Sequence, residues 1–285
     1  MKGILIGNTK SYEATRLHAS AVAAGHVLRL LPIRELMVGI EENVPHIKSV
    51  FGESLTQYDC YLFRGYGKHV WEIIVSARHV HSLGKRVVER KLATDRYVLS
   101  KIPYTVATGG VPVIDTRIIF SLTDEAVSDV IYPAIVRTTI GARGEGIFKV
   151  HSREELNEVY SRIGPKVLIQ PYIPVSYDYR VMIVGNKVLG VMKKYHAPGS
   201  YVSNISAGGT AEVSSLPEEV ISLCMKAKNV SNVEIAGVDV IEHEGKYYVL
   251  EVNAAPQFEG FERCTGMNVA REIIQYITEG DLSRS

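Results

Sequence analysis

The run VEIAGVDVIEHEGKYYVLEVNAAP, residues 233–256, contains two strand-forming segments on either side of the tripeptide EGK. An odd-length loop centred on Gly245 would place Asp239 directly across from Glu251 in an antiparallel hairpin, with Cβ atoms about 5 Å apart. Asn253, two positions further along the strand, would then share their face. An even-length loop without a bulge would instead put the two carboxylates on opposite faces.

Two carboxylates placed this close together repel each other, and burial increases the cost. A divalent cation removes the repulsion. Two carboxylates and an amide oxygen are the hard ligands that suit Mg²⁺, which keeps further positions for phosphate oxygens and water. Asp239, Glu251 and Asn253 are therefore the candidate metal ligands, with Mn²⁺ as an alternative ion. The competing interpretation is a solvated hairpin face, but the valines in both segments argue against a wholly exposed hairpin.

The composition of the chain excludes several classes of protein. Its 285 residues are 46% hydrophobic and 22% charged, with a formal net charge of +1, so nothing favours nucleic acid or an anionic membrane as a partner. No apolar run reaches the length of a membrane span. The three cysteines are far apart and fit neither a disulfide framework nor a zinc site. These features predict a cytoplasmic enzyme or binding protein.

The first ninety residues alternate strand and helix patterns. Strands are predicted at 3–7, 27–31, 59–66 and 86–88, with helices at 11–24 and 70–83. This alternation predicts a parallel sheet covered on both faces. The histidines of HVH, residues 79–81, fall at the end of the second helix and are interpreted as ordinary surface residues.

From about residue 93 the pattern changes to an α+β type. Helices are predicted at 94–101, at 123–130 and from 152, with strands in IYPAIVRT and IFKV. After 167 the strands are predicted to be antiparallel, because Gly185-Asn186 inside RVMIVGNKVLGVMKK is a strong two-residue hairpin signal.

A phosphate-binding region is a second hypothesis from the residues. The loop GARGEG, residues 141–146, has three glycines that would let backbone N–H groups approach an anion, although a plain hairpin loop is an equal alternative. Arg137 precedes this loop inside an apolar strand, where a guanidinium needs an anionic partner such as phosphate. Arg96 and the DYR run at 178–180 add further charge, although single arginines are most often surface residues.

An ordered series of motifs resembles the ATP-grasp ligases, and in particular their RimK-type branch. The series is TDR, PAIVRTTIGARGEG, LIQPYI, DYR, SNISAGG, AGVDV and LEVNAAPQFEGFERCTGMNVA, and it is densest from Thr94 onward. The resemblance implies an ATP-grasp fold with an N-terminal α/β domain (1–92), a central α+β subdomain (93–166) and a C-terminal antiparallel-sheet subdomain (167–285). It also implies ATP and Mg²⁺ as cofactors.

The resemblance further implies a role for each matching residue. Asp239, Glu251 and Asn253 would hold the metal. Arg180 and Asn204 would lie near the phosphoryl group and the acceptor, with Lys194 as a further candidate in that region. The remaining implied nucleotide contacts are the adenine hinge at Gln170, Tyr172 and Ile173, the ribose contact Asp178, the loop glycines Gly141, Gly144 and Gly146, and the phosphate contacts Arg96 and Arg137.

The sequence also departs from the family pattern. Arg96 and Arg137 replace two lysines, Pro171 replaces the hinge acid, and Val202 replaces an arginine. The implied activity is ATP-dependent formation of an amide bond through an acylphosphate, with glutamate as the suggested added amino acid. The alternatives are a nucleotide-binding protein without ligase activity and a dipeptide synthetase.

The acceptor is predicted to be an acidic small molecule or a protein tail. It would enter near Arg64 and Tyr66, because ligands gather at the carboxyl ends of parallel strands. A loop arginine without a ligand is an equal alternative for Arg64. A homo-oligomer is expected only by resemblance.

Overall fold

The computed structural model describes residues 1–94, 103–138, 146–197 and 210–279. These residues form a four-stranded parallel sheet, a four-stranded antiparallel sheet, a five-stranded antiparallel sheet and a separate two-stranded hairpin. Of the described helices, none combines the length and hydropathy needed to cross a bilayer.

The N-terminal sheet is parallel and has the order β2-β1-β5-β6. Its strands are β1 (Lys2–Gly7), β2 (Val27–Pro32), β5 (Cys60–Arg64) and β6 (Arg86–Val87), with the helices α1 (Tyr12–Ala23) and α2 (Val70–Ser82) between them. Side chains alternate along β1, so Leu5 packs with α1 on one face while Ile4 and Ile6 pack with α2 on the other. The predicted two-sided parallel sheet is confirmed.

A β-hairpin that the sequence analysis missed follows β2. It consists of β3 (Leu36–Glu41) and β4 (Val44–Ser49), joined by Glu42 and Asn43 with φ of +50° and +66°. Two positive φ values are typical of the type I′ turns that join two-residue hairpins. The turn lacks the Asn-Gly or Asp-Gly signal, which explains why local sequence did not indicate it.

The second sheet has the order β7-β10-β8-β9. The helix α3 (Pro103–Thr108) precedes this sheet in the chain, but its Val106 packs into the core of the five-stranded sheet. The elements of the second sheet are β7 (Arg117–Ile119), α4 (Asp124–Val127), β8 (Ala134–Thr138), β9 (Ile147–Val150), α5 (Arg153–Ile163) and β10 (Val167–Pro171). The helix α5 begins at the predicted point, because the Ser152 hydroxyl accepts a hydrogen bond from the Glu155 backbone N–H. The helix predicted at 94–101 lies outside the described residues except for its first residue.

The third sheet has the order β13-β12-β11-β14-β15 and is antiparallel throughout. Its strands are β11 (Tyr177–Val184), β12 (Lys187–Tyr195), β13 (Ala211–Ser214), β14 (Ile235–His243) and β15 (Lys246–Ala254). The strands β11 and β12 meet at Gly185-Asn186, which confirms the predicted hairpin.

Three helices for which no sequence prediction was made cover this sheet: α6 (Glu218–Val230), α7 (Glu259–Thr265) and α8 (Val269–Glu279). Val181 and Ile183 of β11 pack with α6, whereas Met182 and Val184 pack with α7, α8 and the N-terminal helix α1. Since side chains alternate along the strand, Asp178 and Arg180 lie on the same face as Met182 and Val184, beyond the apolar residues. The candidate site is the polar end of that face.

The hairpin β14–β15 reaches the predicted register by a different route from the one expected. Its loop is the two-residue turn Glu244-Gly245, which is the even-length alternative, but the strands contain a bulge. The register shifts between Asp239 and Val240, because Val240 pairs with Val249 while Asp239 pairs with Glu251. The bulged residue Leu250 restores the two carboxylates to one face.

The three-part domain division stays a prediction, and the sheet pairings suggest one refinement. β10 pairs with β7 and β8, so we propose that the central unit extends through Pro171 rather than ending at residue 166. The N-terminal and C-terminal units share a core, because α1 and α8 lie in the same buried cluster.

Candidate active site

Three charged residues form a row across the third sheet. Arg180 on β11 pairs with Asp239 on β14, and Asp239 pairs in turn with Glu251 on β15. The Arg180 Nε donates to Asp239 Oδ1 at 2.8 Å and its Nη2 donates to Oδ2 at 2.6 Å. The side chain of Asp239 is only 8% exposed. The sheet register therefore creates a buried bidentate ion pair at the centre of the site.

The surroundings of Asp239 keep it ionised. Burial would raise the pKa of this carboxyl group, but the positive charges of Arg180 and Lys194 outweigh burial and lower the pKa below its usual value. The Lys194 Nζ lies 3.3 Å from Asp239 Oδ1. Asp239 is thus a carboxylate that stays charged at neutral pH.

Asn253 connects the two carboxylates. Its Nδ2 donates to Glu251 Oε1 at 2.7 Å and to Asp239 Oδ2 at 3.3 Å. The structure thus brings the three predicted metal ligands together. The described residues contain no group of three or more His, Cys, Asp or Glu side chains that could hold a metal. The donor set at this site is different, because it combines two carboxylates with the amide of Asn253. These hard oxygen groups fit a magnesium ion, provided that Asn253 turns its Oδ1 toward it.

A second ion pair lies next to the first. Lys194 Nζ is 2.6 Å from Asp178 Oδ1, and His196 Nε2 is 3.5 Å from Asp178 Oδ2. Both Asp178 and Lys194 are buried. The predicted ribose contact is thus bound to the protein's own lysine in this structure, and Lys194 lies between two aspartates.

Arg137 reaches this row from the second sheet. Its Nη1 lies 3.7 Å from Glu251 Oε2, and its side chain is 17% exposed. Burial lowers the pKa of Arg137, and the charge of Glu251 acts in the opposite direction. An arginine of the central sheet therefore lies beside Glu251, one of the predicted metal ligands.

The predicted adenine hinge begins in β10 of the second sheet with Gln170 and continues past the end of that strand. The Gln170 amide donates to Thr116 at 2.8 Å, and the Tyr172 backbone N–H donates to the Pro133 carbonyl at 2.9 Å. The Ile173 carbonyl accepts from the Val175 N–H. Each of these three residues thus has at least one group bonded within the protein.

Of the predicted phosphate loop, the structure describes only Gly146. Its φ is +77°, and a Cβ there would lie 2.8 Å from the Thr138 hydroxyl oxygen, so a side chain would be strained and crowded. The other predicted site residues lie outside the described residues: Arg96, Gly141, Gly144 and Asn204. Their roles stay predictions.

Arg64 lies at the end of β5 and is 7% exposed. Its Nη2 donates to the Pro256 carbonyl at 2.7 Å, and its guanidinium is 5.7 Å from the centre of the Phe258 ring. Its Nη1 is buried without a hydrogen-bond partner among the described residues. Burial lowers the pKa of Arg64, and the charges of Glu13 and Glu89 act in the opposite direction. Tyr66 is half-buried in the loop beyond it.

Sequence reasoning missed the buried Glu89. It has a φ of +67°, and its oxygens accept from the backbone N–H groups of Glu234 and Ile235 at 3.4 and 3.1 Å. It therefore ties the N-terminal domain to the start of β14. No local pattern indicated this, because a single acid after a short strand is ordinary surface sequence.

The burial of Glu89 predicts a pH dependence of stability. Burial raises its pKa from 4.5 to about 7, with Lys91 acting in the opposite direction. Between these two pH values the native protein binds more protons than the unfolded chain, so stability falls as the pH rises through this window and levels off above it. Relative to Glu89→Gln, the wild type should lose roughly 3 kcal/mol across the window. Urea unfolding near pH 5 and near pH 8 measures this difference, and equal pH slopes in the two proteins would contradict it.

The molecule combines a parallel α/β unit with two antiparallel sheets, and two neighbouring carboxylates each have an arginine beside them. This combination defines the class of ATP-grasp ligases. A crystal structure of a RimK domain ATP-grasp protein from Sphaerobacter thermophilus matches with a TM-score of 0.72 and 21% identity, over 97% of this chain and 99% of that one. D-cycloserine synthetase matches with a TM-score of 0.73 and 16% identity, over 98% and 99%. At these identities the structures show the fold alone, and the fold-class prediction is confirmed.

Residues 105–277 match the family described as RimK-like ATP-grasp domain, so the chain belongs to that family. The probable alpha-L-glutamate ligase 1 of Shewanella frigidimarina is 27% identical over 295 residues, covering 99% of this chain and 96% of the relative. The protein of the same name from Pseudoalteromonas atlantica is 28% identical over 287 residues, covering 96% and 93%. The predicted class of activity, ATP-dependent amide-bond formation by a carbon–nitrogen ligase, is confirmed.

Proposed function

We propose that this protein uses MgATP to join glutamate, or another amino acid, to a carboxylate of an acidic acceptor. The observation that carries the proposal is the side-by-side placement of Asp239, Glu251 and Asn253. Three cationic side chains contact the two carboxylates. Relatives named as glutamate ligases support glutamate as the added amino acid. Mn²⁺ as an alternative ion, a homo-oligomeric state and a cytoplasmic location stay predictions.

In this proposal the two carboxylates and the Asn253 amide oxygen hold the magnesium ion. The bound ion would neutralise phosphate charge and orient the nucleotide. The strand register places both carboxylates before any ligand arrives, so little rearrangement of the backbone is needed. Such placement in advance is what electrostatic catalysis requires.

Three cations supply the charge that phosphoryl transfer needs. Arg180 and Lys194 contact Asp239, and Arg137 approaches Glu251 from the opposite sheet. Transfer of a phosphoryl group from ATP to a carboxylate depends on positioning and charge neutralisation rather than on a covalent protein group. The three side chains would bind phosphate oxygens around the site, and the amine would then displace phosphate from the acylphosphate.

The acceptor carboxylate is proposed to lie near Arg64. This arginine is at the carboxyl end of a parallel strand, where ligands of α/β folds gather. Arg64 contacts the carbonyl of Pro256, which is three residues beyond Asn253 in the chain. An anion bound near Arg64 would therefore also lie near the proposed phosphoryl-transfer site. A peptide tail and a small acid both carry the required carboxylate.

ADP release tests the proposed function. The protein should release ADP from MgATP only when an amino acid and a suitable acidic acceptor are both present, and mass spectrometry should show a product heavier by one amino-acid residue. A panel of acidic peptides and small polycarboxylates, each with glutamate and with other amino acids, identifies both substrates. Measurable ATP binding without ADP release for any pair would favour the nucleotide-binding alternative.

A further inference from the structure

The metal-binding carboxylate of the proposed site is already occupied by the protein itself. Asp239 accepts two hydrogen bonds from Arg180, one from Lys194 and one from Asn253. A carboxylate offers about four lone-pair positions, so these contacts use its capacity. A cation can ligate Asp239 only if one of the donors withdraws.

The charges of the described side chains are balanced in this state. Three positive side chains face three negative ones: Arg137 contacts Glu251, Arg180 contacts Asp239, and Lys194 contacts both Asp178 and Asp239. A divalent cation that entered alone would add positive charge next to buried cations, and this repulsion is poorly screened in a buried site. A triphosphate carries more negative charge than one divalent cation neutralises. When nucleotide and metal bind together, the remaining negative charge of the phosphates can therefore pair with the three cationic side chains.

We propose that Arg180 serves as the counter-ion of Asp239 until nucleotide arrives, which makes metal binding conditional on nucleotide. The phosphates draw the guanidinium away from Asp239, and the carboxylate then becomes available to the ion. This role of Arg180 rests on the proposed metal site. It adds the condition that the site binds a metal ion only when nucleotide is bound. It also prevents the empty carboxylate pair from taking up an ion without ATP.

The packing around Arg180 allows this movement. A Cβ on Gly237 would lie 3.4 Å from both Cδ and Nε of Arg180 and 3.1 Å from Pro256, so the arginine side chain runs over a glycine that leaves room for it. The Arg180 side chain is 20% exposed, so it is not fully enclosed by the protein. Asn253 also presents its Nδ2 to both carboxylates, so its amide must turn before its Oδ1 can ligate an ion.

Titration with Mn²⁺, followed by the electron paramagnetic resonance signal of the free ion, tests the proposal. The Mn²⁺ bound by AMP-PNP alone is measured in a protein-free titration and subtracted. After this subtraction, the wild type should bind Mn²⁺ at least about tenfold more tightly with saturating AMP-PNP than without nucleotide. Arg180→Gln removes the competing charge, so its affinity for Mn²⁺ without nucleotide should rise by about tenfold and its dependence on nucleotide should shrink. Arg180→Lys cannot form the bidentate pair, so its Mn²⁺ affinity without nucleotide should lie between those of the wild type and Arg180→Gln. If Arg180→Gln does not fold, Arg180→Lys replaces it in the test.

Lys187→Gln is the matched control. Lys187 lies on β12 of the same sheet and pairs with Glu272 away from the site, so its loss should leave Mn²⁺ binding unchanged. Equal Mn²⁺ affinity with and without nucleotide in the wild type, or a wild-type response in Arg180→Gln, would overturn the inference but not the metal site. Absence of Mn²⁺ binding in both conditions would refute the proposed metal site as well.

Discussion

Glu251→Gln should lower kcat for ADP formation by roughly 10²–10³-fold, because it removes one of the two charges that hold the proposed metal. The substitution keeps the shape of the side chain and leaves an oxygen that can accept from Asn253. The loss should therefore be chemical rather than structural. Steady-state ADP release with saturating substrates measures it, and urea unfolding checks that the fold is retained.

Glu242→Gln is the matched control for this experiment. Glu242 lies on β14, three residues beyond Asp239, and pairs with Tyr247 away from the site. Its substitution should leave kcat within about twofold, in line with the small effects of substitutions distant from a site. A Glu251→Gln protein with near-normal kcat would remove Glu251 from the metal site and with it the main support for the proposed function.

Phe261→Ala should cost about 3–5 kcal/mol of unfolding free energy, the usual range for deleting a buried aromatic ring. Phe261 on α7 is 1% exposed and belongs to the core cluster shared by α1, α8 and β12. Its ring also lies 3.4 Å from the position of a Cβ on Gly190, so it fills the space that this glycine leaves on the sheet. The cavity would open in the core that joins the N-terminal and C-terminal units.

Phe51→Ala provides the comparison for the same chemical change. Phe51 is 79% exposed, so its removal should alter the unfolding free energy by no more than about 0.5 kcal/mol. Urea denaturation of both variants gives the two values directly. A small loss for Phe261→Ala would mean that α7 contributes little to the stability of the shared core.

Local patterns predicted most of the fold. Alternating apolar strands and helices indicated the parallel sheet, and Gly185-Asn186 indicated the hairpin β11–β12, because backbone preferences at turns are local. The hairpin β3–β4 was missed because its turn, Glu42-Asn43, adopts positive φ without glycine. No helix was predicted from Glu218 onward, although three of them cover the third sheet.

The pairing of Asp239 with Glu251 shows how far sequence reasoning reaches at the site. Residue types and spacing predicted that the two carboxylates and the amide lie together, and their role as metal ligands stays a prediction. The bulge at Leu250 that aligns them was not predicted, because register depends on packing of the whole sheet. Contacts across the chain, such as Arg137 with Glu251 and Glu89 with Ile235, had no sequence signal.

By itself, the sequence of this protein determined the alternating strands and helices of its first part, the hairpin β11–β12, the chemistry of its donor groups and the family resemblance. These properties depend on residue type and short-range spacing. Only the tertiary structure decided that Arg180 holds Asp239 and that Arg64 reaches Pro256 from a separate unit. Such pairings join residues 59 and 192 positions apart in the chain, and only the packing of whole sheets brings them together.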